Sequence, residues 1–178
     1  MGLNPVCGAL RIARARQRQC GLTGESYMTE NQKAFLSMLA WAEGTDNGRQ
    51  QTTNRGYDVL VGGGLFTDYT DHPRKLIQLR PGLASTAAGR YQLLARYFDF
   101  YKRLLRLSDF SPESQDAIAL QQIKERGAMP DIETGDFARA VHKVRNIWAS
   151  LPGAGYNQHE QKLTDLECAY RLAGGEVA

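Results

Sequence analysis

The stretch LAWAEGTDNGRQ, Leu39 to Gln50, decides how this chain is read. An apolar helical run stops at a carboxylate, Glu43, then turns through Gly44 into a purely polar segment. Upstream, Thr29 with Gln32 three residues later has capping-box form, and Phe35, Leu36, Leu39 and Ala42 recur at helical spacing. A first helix is therefore expected to start at Thr29 and end at Glu43, with Gly44 just beyond. The partial negative charge of a helix C-terminus disfavours an ionised carboxyl, and Trp41 and Ala42 are at hand to desolvate it. Both effects raise a carboxyl pKa, the condition a general acid needs to keep its proton near neutrality. Taken alone, the segment is explained more simply by a solvated glutamate at a frayed helix end. Its company changes that balance.

Downstream, YDVLVGGGLFTDYTDHP (57–73) alternates Tyr57, Val59 and Val61 with Asp58 and Leu60 before a triple glycine and a second β-prone run, which reads as a hairpin. STAAGRYQLLARYFDFYKRLLRL enters a long amphipathic helix from Ser85 and Thr86, its first turn weakened by Gly89. Ser111 and Pro112 cap SPESQDAIALQQIKERG, which Gly127 ends. Asp136 opens DFARAVHKVRNIWASL, which Pro152 stops after Leu151, and a last helix is expected from about His159 to Ala173. One small sheet among about five helices is an α+β plan. Two loops, KLIQLRPGLAST and LPGAGYNQHE, carry Gly and Pro beside apolar or aromatic residues; such loops serve as plain connections or as mobile walls of a cleft.

At 178 residues with 42% hydrophobic composition, the chain suits one globular core. No apolar run approaches the roughly 18 residues of a membrane span. The formal charge of +3 belongs to the start of the chain. Removing Arg11, Arg14, Arg16, Arg18 and Glu25 from 22 basic and 19 acidic residues leaves 18 of each from Met28 onward. A neutral domain does not suggest a nucleic-acid partner or a membrane anchor. Residues 1–27 lack the sustained apolar core of a secretory signal. They are expected to be a disordered, arginine-rich extension preceding a natural start at Met28, the alternative being a basic arm that touches nucleic acid or anionic lipid, with residues 28–178 as the single domain. Cys7, Cys20 and Cys168 form no disulfide or zinc pattern, and His72, His142 and His159 are scattered. Metal-free, cofactor-free chemistry is expected.

Tyr57, Tyr69, Tyr91 and Tyr156 lie in or beside loops. Aromatic faces flanked by polar groups, as Tyr91 is by Arg90 and Gln92, suit a sugar chain, whose rings have apolar C–H faces and hydroxyl edges. These six are the candidate substrate-binding residues. Singly, such tyrosines serve more often in packing.

NQKAFLSMLAWAEGTDNGRQ, GYDVLVGG, LFTDYTDHPRKL, AGRYQLL, DFSPESQDAIALQQIKERGA and NIWASLPGAGY together resemble the lambda-type phage endolysins, lytic transglycosylases of bacterial cell walls. The resemblance runs in order from about Met28 to the end. It implies a lysozyme-like fold, mostly helical, with a small antiparallel β-sheet beside a saccharide-binding cleft. It also implies that Glu43 is the catalytic acid and base, and that two flexible lips border the cleft at about Lys75 to Ala84 and Pro152 to Asp165. Ala42 stands where the family pattern has serine, Ala87 where it has glycine, and Gly64 where it has glutamate; none of these touches Glu43 itself.

An ordinary glycosidase needs two carboxylates. Asp46, Asp58, Asp68 and Asp71 are candidates for the second, and nothing in the sequence sets any of them opposite Glu43. A transglycosylase needs none, because the substrate's own C6 hydroxyl is the nucleophile. The resemblance accordingly implies cleavage between N-acetylmuramic acid and N-acetylglucosamine, leaving 1,6-anhydro ends. It further implies a monomer held in the host cytoplasm until a phage holin opens the inner membrane to the periplasm. The alternatives are a hydrolytic lysozyme on the same scaffold and a non-catalytic wall-binding protein.

Overall fold

The first helix, α1 (Glu30–Ala42), starts where its capping chemistry places it. The Thr29 hydroxyl accepts from Gln32 N–H while the Gln32 side chain accepts from Thr29 N–H, each at 3.2 Å. Glu43 is the C-cap and Gly44 follows at φ +76°, a left-handed conformation that stops the helix. The computed structural model describes residues 28–157 and 159–178. Residues 1–27, and with them the expected extension, lie outside the described residues.

Along the described chain, α1 is followed by β1 (Ile77–Arg80), β2 (Leu83–Ser85), α2 (Ala95–Leu105), α3 (Pro112–Glu125), α4 (Met129–Thr134), α5 (Phe137–Val144) and α6 (Leu163–Leu172). The α+β class holds. The main core wraps α1 with α4, α5, α6 and one face of α3. Phe35, Met38 and Leu39 are fully buried there, each contributing about 1.5–3 kcal/mol. Phe35, Phe137 and Tyr170 meet edge-on or stacked, tying α1, α5 and α6 together. A second cluster gathers Leu60, Phe66, Leu93, Phe98, Tyr101 and Phe110. The two meet along α3, whose Ile118 faces the second cluster and whose Ala119 and Ile123 face the first.

The sheet is not where the alternation at 57–69 placed it. Val59 and Leu65 share only an isolated bridge; Leu60 bridges Ala88 instead, and Gly89 N–H donates to Val59 C=O at 2.8 Å. Residues 58–66 do fold back as a tight antiparallel turn, Leu60 N–H on Gly64 C=O at 2.7 Å and Phe66 N–H on Asp58 C=O at 2.9 Å, but the pairing goes no further and the adjoining backbone pairs with residues 87–89. The described sheet is instead the two-stranded antiparallel pair β1–β2, Ile77 opposite Ser85, with an irregularity between Gln78 and Arg80. Pro81 and Gly82 make its turn, Gly82 at φ +77°. The expected first lip is therefore a hairpin.

Three helices differ from expectation. α2 begins at Ala95, not Ser85, because Ala88 and Leu93 exchange backbone bonds around a tight turn with Gly89 at φ +79° and Gln92 at φ +50°. Glycine is required at 89, since a Cβ there would sit 2.2 Å from Gln115 Oε1. α5 ends at Val144, not Leu151: Ile147 N–H bonds Val144 C=O and Leu151 N–H bonds Trp148 C=O, tighter turns that send Trp148 and Leu151 inward. The last helix begins at Leu163 rather than His159. α4, with Pro130 in its first turn and Gly135 left-handed past its end, is an element the periodicity did not suggest.

Candidate active site

Glu43 sits at the hinge between α1 and the polar stretch after it. Its N–H completes the last turn of α1 on Leu39 C=O at 2.9 Å. Two residues on, buried Thr45 donates its hydroxyl to Arg90 C=O at 2.7 Å, and Gly56 packs against the Thr45 side chain too closely for any Cβ. The carboxyl is thus carried by a fixed backbone. The residue as a whole is half-buried. From the far end of the chain, Ser150 Oγ donates to Glu43 Oε1 at 2.6 Å. Burial raises the Glu43 pKa from 4.5 to about 7, against the pull of the Ser150 hydroxyl and backbone N–H, which favour the carboxylate. The acid is therefore poised to hold and release a proton near neutrality.

Ser150 was not singled out from sequence, although NIWASLPGAGY contains it. It matters twice. Its hydroxyl holds the acid, and its carbonyl accepts from Gln161 N–H at 2.8 Å, closing the base of the 151–161 loop, the expected second lip. Within that loop the Glu160 carboxylate accepts from Gly153 and Gly155 N–H at 2.8 and 3.0 Å. Those bonds hold the Glu160 pKa down.

The four candidate second carboxylates are each committed elsewhere. Asp46 pairs with Arg90 Nη1 at 2.7 Å. Burial alone would raise the pKa of Asp58, but donation from Thr52, the Thr53 hydroxyl at 2.6 Å and Thr53 N–H at 2.8 Å outweighs it and holds the pKa down. Asp68 accepts from Thr70. Asp71 bonds Arg74 at 2.7 Å and Lys102 at 3.1 Å, which hold it at about 2. None of the four shares a hydrogen bond with Glu43.

The six candidate substrate residues divide. Arg90 is 3% and Tyr91 5% exposed, too enclosed to offer a face to a sugar. Arg90 lies under Tyr57, its guanidinium 5.1 Å from the ring centroid, and also donates to Arg55 C=O. Tyr91 and Tyr57 donate their hydroxyls to one oxygen of Asp116, at 2.6 and 2.8 Å, with the rings edge-on. Burial raises the pKa of Asp116 in spite of those bonds, and burial beside Asp116 pushes Tyr57 up to about 12. Arg90 and Tyr91 thus act as a foundation for Tyr57, a correction to their assignment as contacts. Trp148 Nε1 donates to Tyr91 C=O at 3.2 Å, joining this foundation to the segment that carries Ser150. Gln92 is spent on the Gly89 and Val59 carbonyls at 3.0 and 3.3 Å. Tyr69 is partly buried against Phe66, its hydroxyl accepting from Asn54. Tyr156 is 51% exposed on the second loop, its hydroxyl on Asn146 C=O at 2.7 Å. Of the four tyrosines, Tyr156 is exposed, Tyr57 and Tyr69 are half-buried and Tyr91 is buried. Among the described residues no three His, Cys, Asp or Glu side chains are grouped to hold a metal ion.

A raised glutamate at a helix end, a short hairpin and a glycine-rich loop on a helical scaffold define a lysozyme-type protein, and comparison with solved structures agrees. The chain is similar to bacteriophage lambda lysozyme complexed with a chitohexasaccharide, at 62% identity and TM-score 0.85 over 86% of this chain and 100% of that one. A second structure of lysozyme from bacteriophage lambda matches at 60% identity and TM-score 0.81, with the same coverage. The chain belongs to the endolysin family of phage peptidoglycan-lytic enzymes, whose model matches residues 33–177. Among its relatives, the endolysin of Escherichia phage lambda is 63% identical over 84% of this chain and 95% of that protein. The endolysin of Escherichia phage P2 is 51% identical over 84% and 96%.

Proposed function

We propose that the chain cleaves the β-1,4 bond between N-acetylmuramic acid and N-acetylglucosamine by intramolecular transglycosylation, with Glu43 as both acid and base. The supporting observation is a glutamate raised to about 7 and held by Ser150, while Asp46, Asp58, Asp68 and Asp71 are each engaged by basic or hydroxyl partners of their own. Protonated Glu43 donates to the glycosidic oxygen as the muramoyl C1–O bond breaks. The C6 hydroxyl of the same sugar closes on C1 and passes its proton to the carboxylate, which restores the acid. No water is consumed. Because the nucleophile is already tethered to the reacting carbon, its effective concentration is large and no second carboxylate is required. Ser150 holds Glu43 in one rotamer through both half-steps and stabilises the ionised form between them.

In this reading the glycan lies between the β1–β2 hairpin and the 151–161 loop, with Tyr57 and Tyr156 as the aromatic surfaces offered to it. The chitohexasaccharide bound by the lambda relative is consistent with a chain of sugars as ligand. No described helix is long and apolar enough to cross a membrane. Release to the periplasm is assigned to a holin at the end of infection, with no stable complex between the two, and the enzyme is assigned as a monomer.

Mass analysis of purified peptidoglycan digests tests this function. Muropeptides lacking a reducible end and lighter by one water than lysozyme products are expected. Mainly reducible products would replace the reading with a hydrolytic lysozyme, and intact sacculi would replace it with a wall-binding protein.

A further inference from the structure

The domain is neutral from Met28 onward, but its charge is strongly segregated. Between Arg74 and Arg106 there are eight basic residues and one acid, Asp99, a net +7; the rest of the domain holds ten basic and seventeen acidic residues. Three of the eight are neutralised: Arg74 by Asp71 and Asp99, Arg90 by Asp46, and Lys102 by Asp71. Among the described residues, no carboxylate lies within ion-pair distance of Lys75, Arg80, Arg96, Arg103 or Arg106.

α2 runs through this basic region with a second anomaly. Its Phe98 and Tyr101 are buried, yet Tyr97, Phe100 and Leu104 are 46%, 51% and 50% exposed. Their spacing of three and four residues lines them up along one outward stripe. At 100° per residue, Arg96 and Arg103 flank that stripe on the side away from the core. Arg96 already folds over the Tyr97 ring at 4.9 Å, leaving its charge at the edge of the apolar strip. An aromatic and aliphatic ridge bordered by unpaired arginines, in a region of net +7, matches a surface that is apolar inside and anionic at its boundary. A protein partner would have to supply both features by its own sequence. A bilayer supplies them by its construction.

We propose that α2 is an interfacial contact that seats the enzyme on a bilayer containing anionic phospholipid, with Tyr97, Phe100 and Leu104 entering the headgroup boundary and Arg96, Arg103 and Arg106 meeting the phosphates. The surface is separate from the catalytic machinery, since neither Glu43 nor Ser150 has a partner on α2. Its failure would leave the proposed reaction untouched. Such a contact would hold the enzyme near the membrane while its cleft works on the adjoining wall.

The test is co-sedimentation of the full chain with vesicles of phosphatidylcholine alone and of a three-to-one mixture with phosphatidylglycerol. Selective binding to the anionic vesicles is expected, weakened by added salt. R96Q with R103Q should reduce partitioning by about 25-fold, about fivefold for each charge. F100S with L104S should reduce it at least about tenfold. L172S, which removes an exposed leucine from α6, should change nothing, and all variants should digest purified peptidoglycan at the parental rate. Equal binding to both vesicle types, or none to either, overturns the proposal. So does binding undiminished in both α2 variants, which would move the lipid contact to the arginines of residues 1–27. Reduced sedimentation of the variants with sacculi alone would make α2 a wall-binding face instead.

Discussion

Replacing Glu43 by glutamine should abolish lysis and, at alkaline pH, make the protein more stable. The folded pKa of Glu43 is raised by burial from 4.5 to about 7. A carboxyl whose pKa rises on folding favours the native state at low pH, and that advantage is lost as pH rises through the interval from 4.5 to about 7. Above it, ionised Glu43 costs the native state up to about 3 kcal/mol, at roughly 1.4 kcal/mol per pKa unit. Glutamine has the same shape, accepts the Ser150 hydrogen bond and never ionises. The stability difference between Glu43→Gln and the parent should therefore grow by about 3 kcal/mol between about pH 4 and about pH 8.5. For a domain of this size that is a gain in Tm of roughly 6–12 °C. Thermal unfolding of both proteins across that range measures it, and the change with pH cancels whatever the amide does on its own. Parallel curves would mean that Glu43 ionises as an ordinary surface glutamate, and the acid role would lose its physical basis.

Activity should fall on the alkaline side as Glu43 loses its proton near pH 7. Ser150→Ala removes a donor to the carboxylate, so that limb should move to higher pH while the maximal rate drops about tenfold or more; Ser150→Thr should restore both. A lower rate with an unmoved limb would leave Ser150 a packing residue. Asp46→Asn should cost about 2 kcal/mol in denaturant unfolding, because Arg90 stays buried beneath Tyr57 without its counter-charge, yet the folded variant should keep lysing walls. Loss of activity in the folded protein would make Asp46 a second catalytic group. Gly89→Ala should destabilise by about 1–3 kcal/mol, from the left-handed φ and the clash with Gln115, and an unchanged Tm would show that the 88–93 turn relaxes freely.

The parts of this architecture that were legible in the sequence are those governed by local chemistry. Thr29 and Gln32, Ser111 and Pro112, and Asp136 mark helix starts through bonds to their own neighbours, and α1, α3 and α5 begin where those residues stand. The helix end at Glu43 was legible because Gly44 follows it in the chain, whereas a catalytic role for its carboxyl was suggested by the resemblance and not by the segment alone. The alternation at Tyr57 to Val61 led to a tight antiparallel turn and not to the two-stranded sheet, because its backbone also pairs with a distant partner, Leu60 with Ala88, and Asp58 is held by Thr52 and Thr53. The Pro81–Gly82 turn between two β-prone triplets was the better signal. Ser150 and Asp116 were not legible at all as site residues. Their importance lies in contacts across 107 residues to Glu43 and across 59 and 25 residues to Tyr57 and Tyr91, which no spacing rule encodes. Arg90 and Tyr91 were noticed as polar and aromatic, but only the packing revealed that they face inward.

The central claim is that the nucleophile belongs to the substrate and that Glu43 alone moves the protons. Digestion of purified peptidoglycan in oxygen-labelled water tests it most directly, because hydrolysis writes a solvent oxygen into the new C1 end and intramolecular closure does not. The account predicts unlabelled 1,6-anhydro-muramoyl ends from the parent, and the same unlabelled products from Asp46, Asp58, Asp68 and Asp71 variants, each changed singly to Asn. Reducible ends carrying solvent oxygen as the main product would contradict it, and the aspartate whose loss stops their formation would be the second carboxylate of a hydrolase.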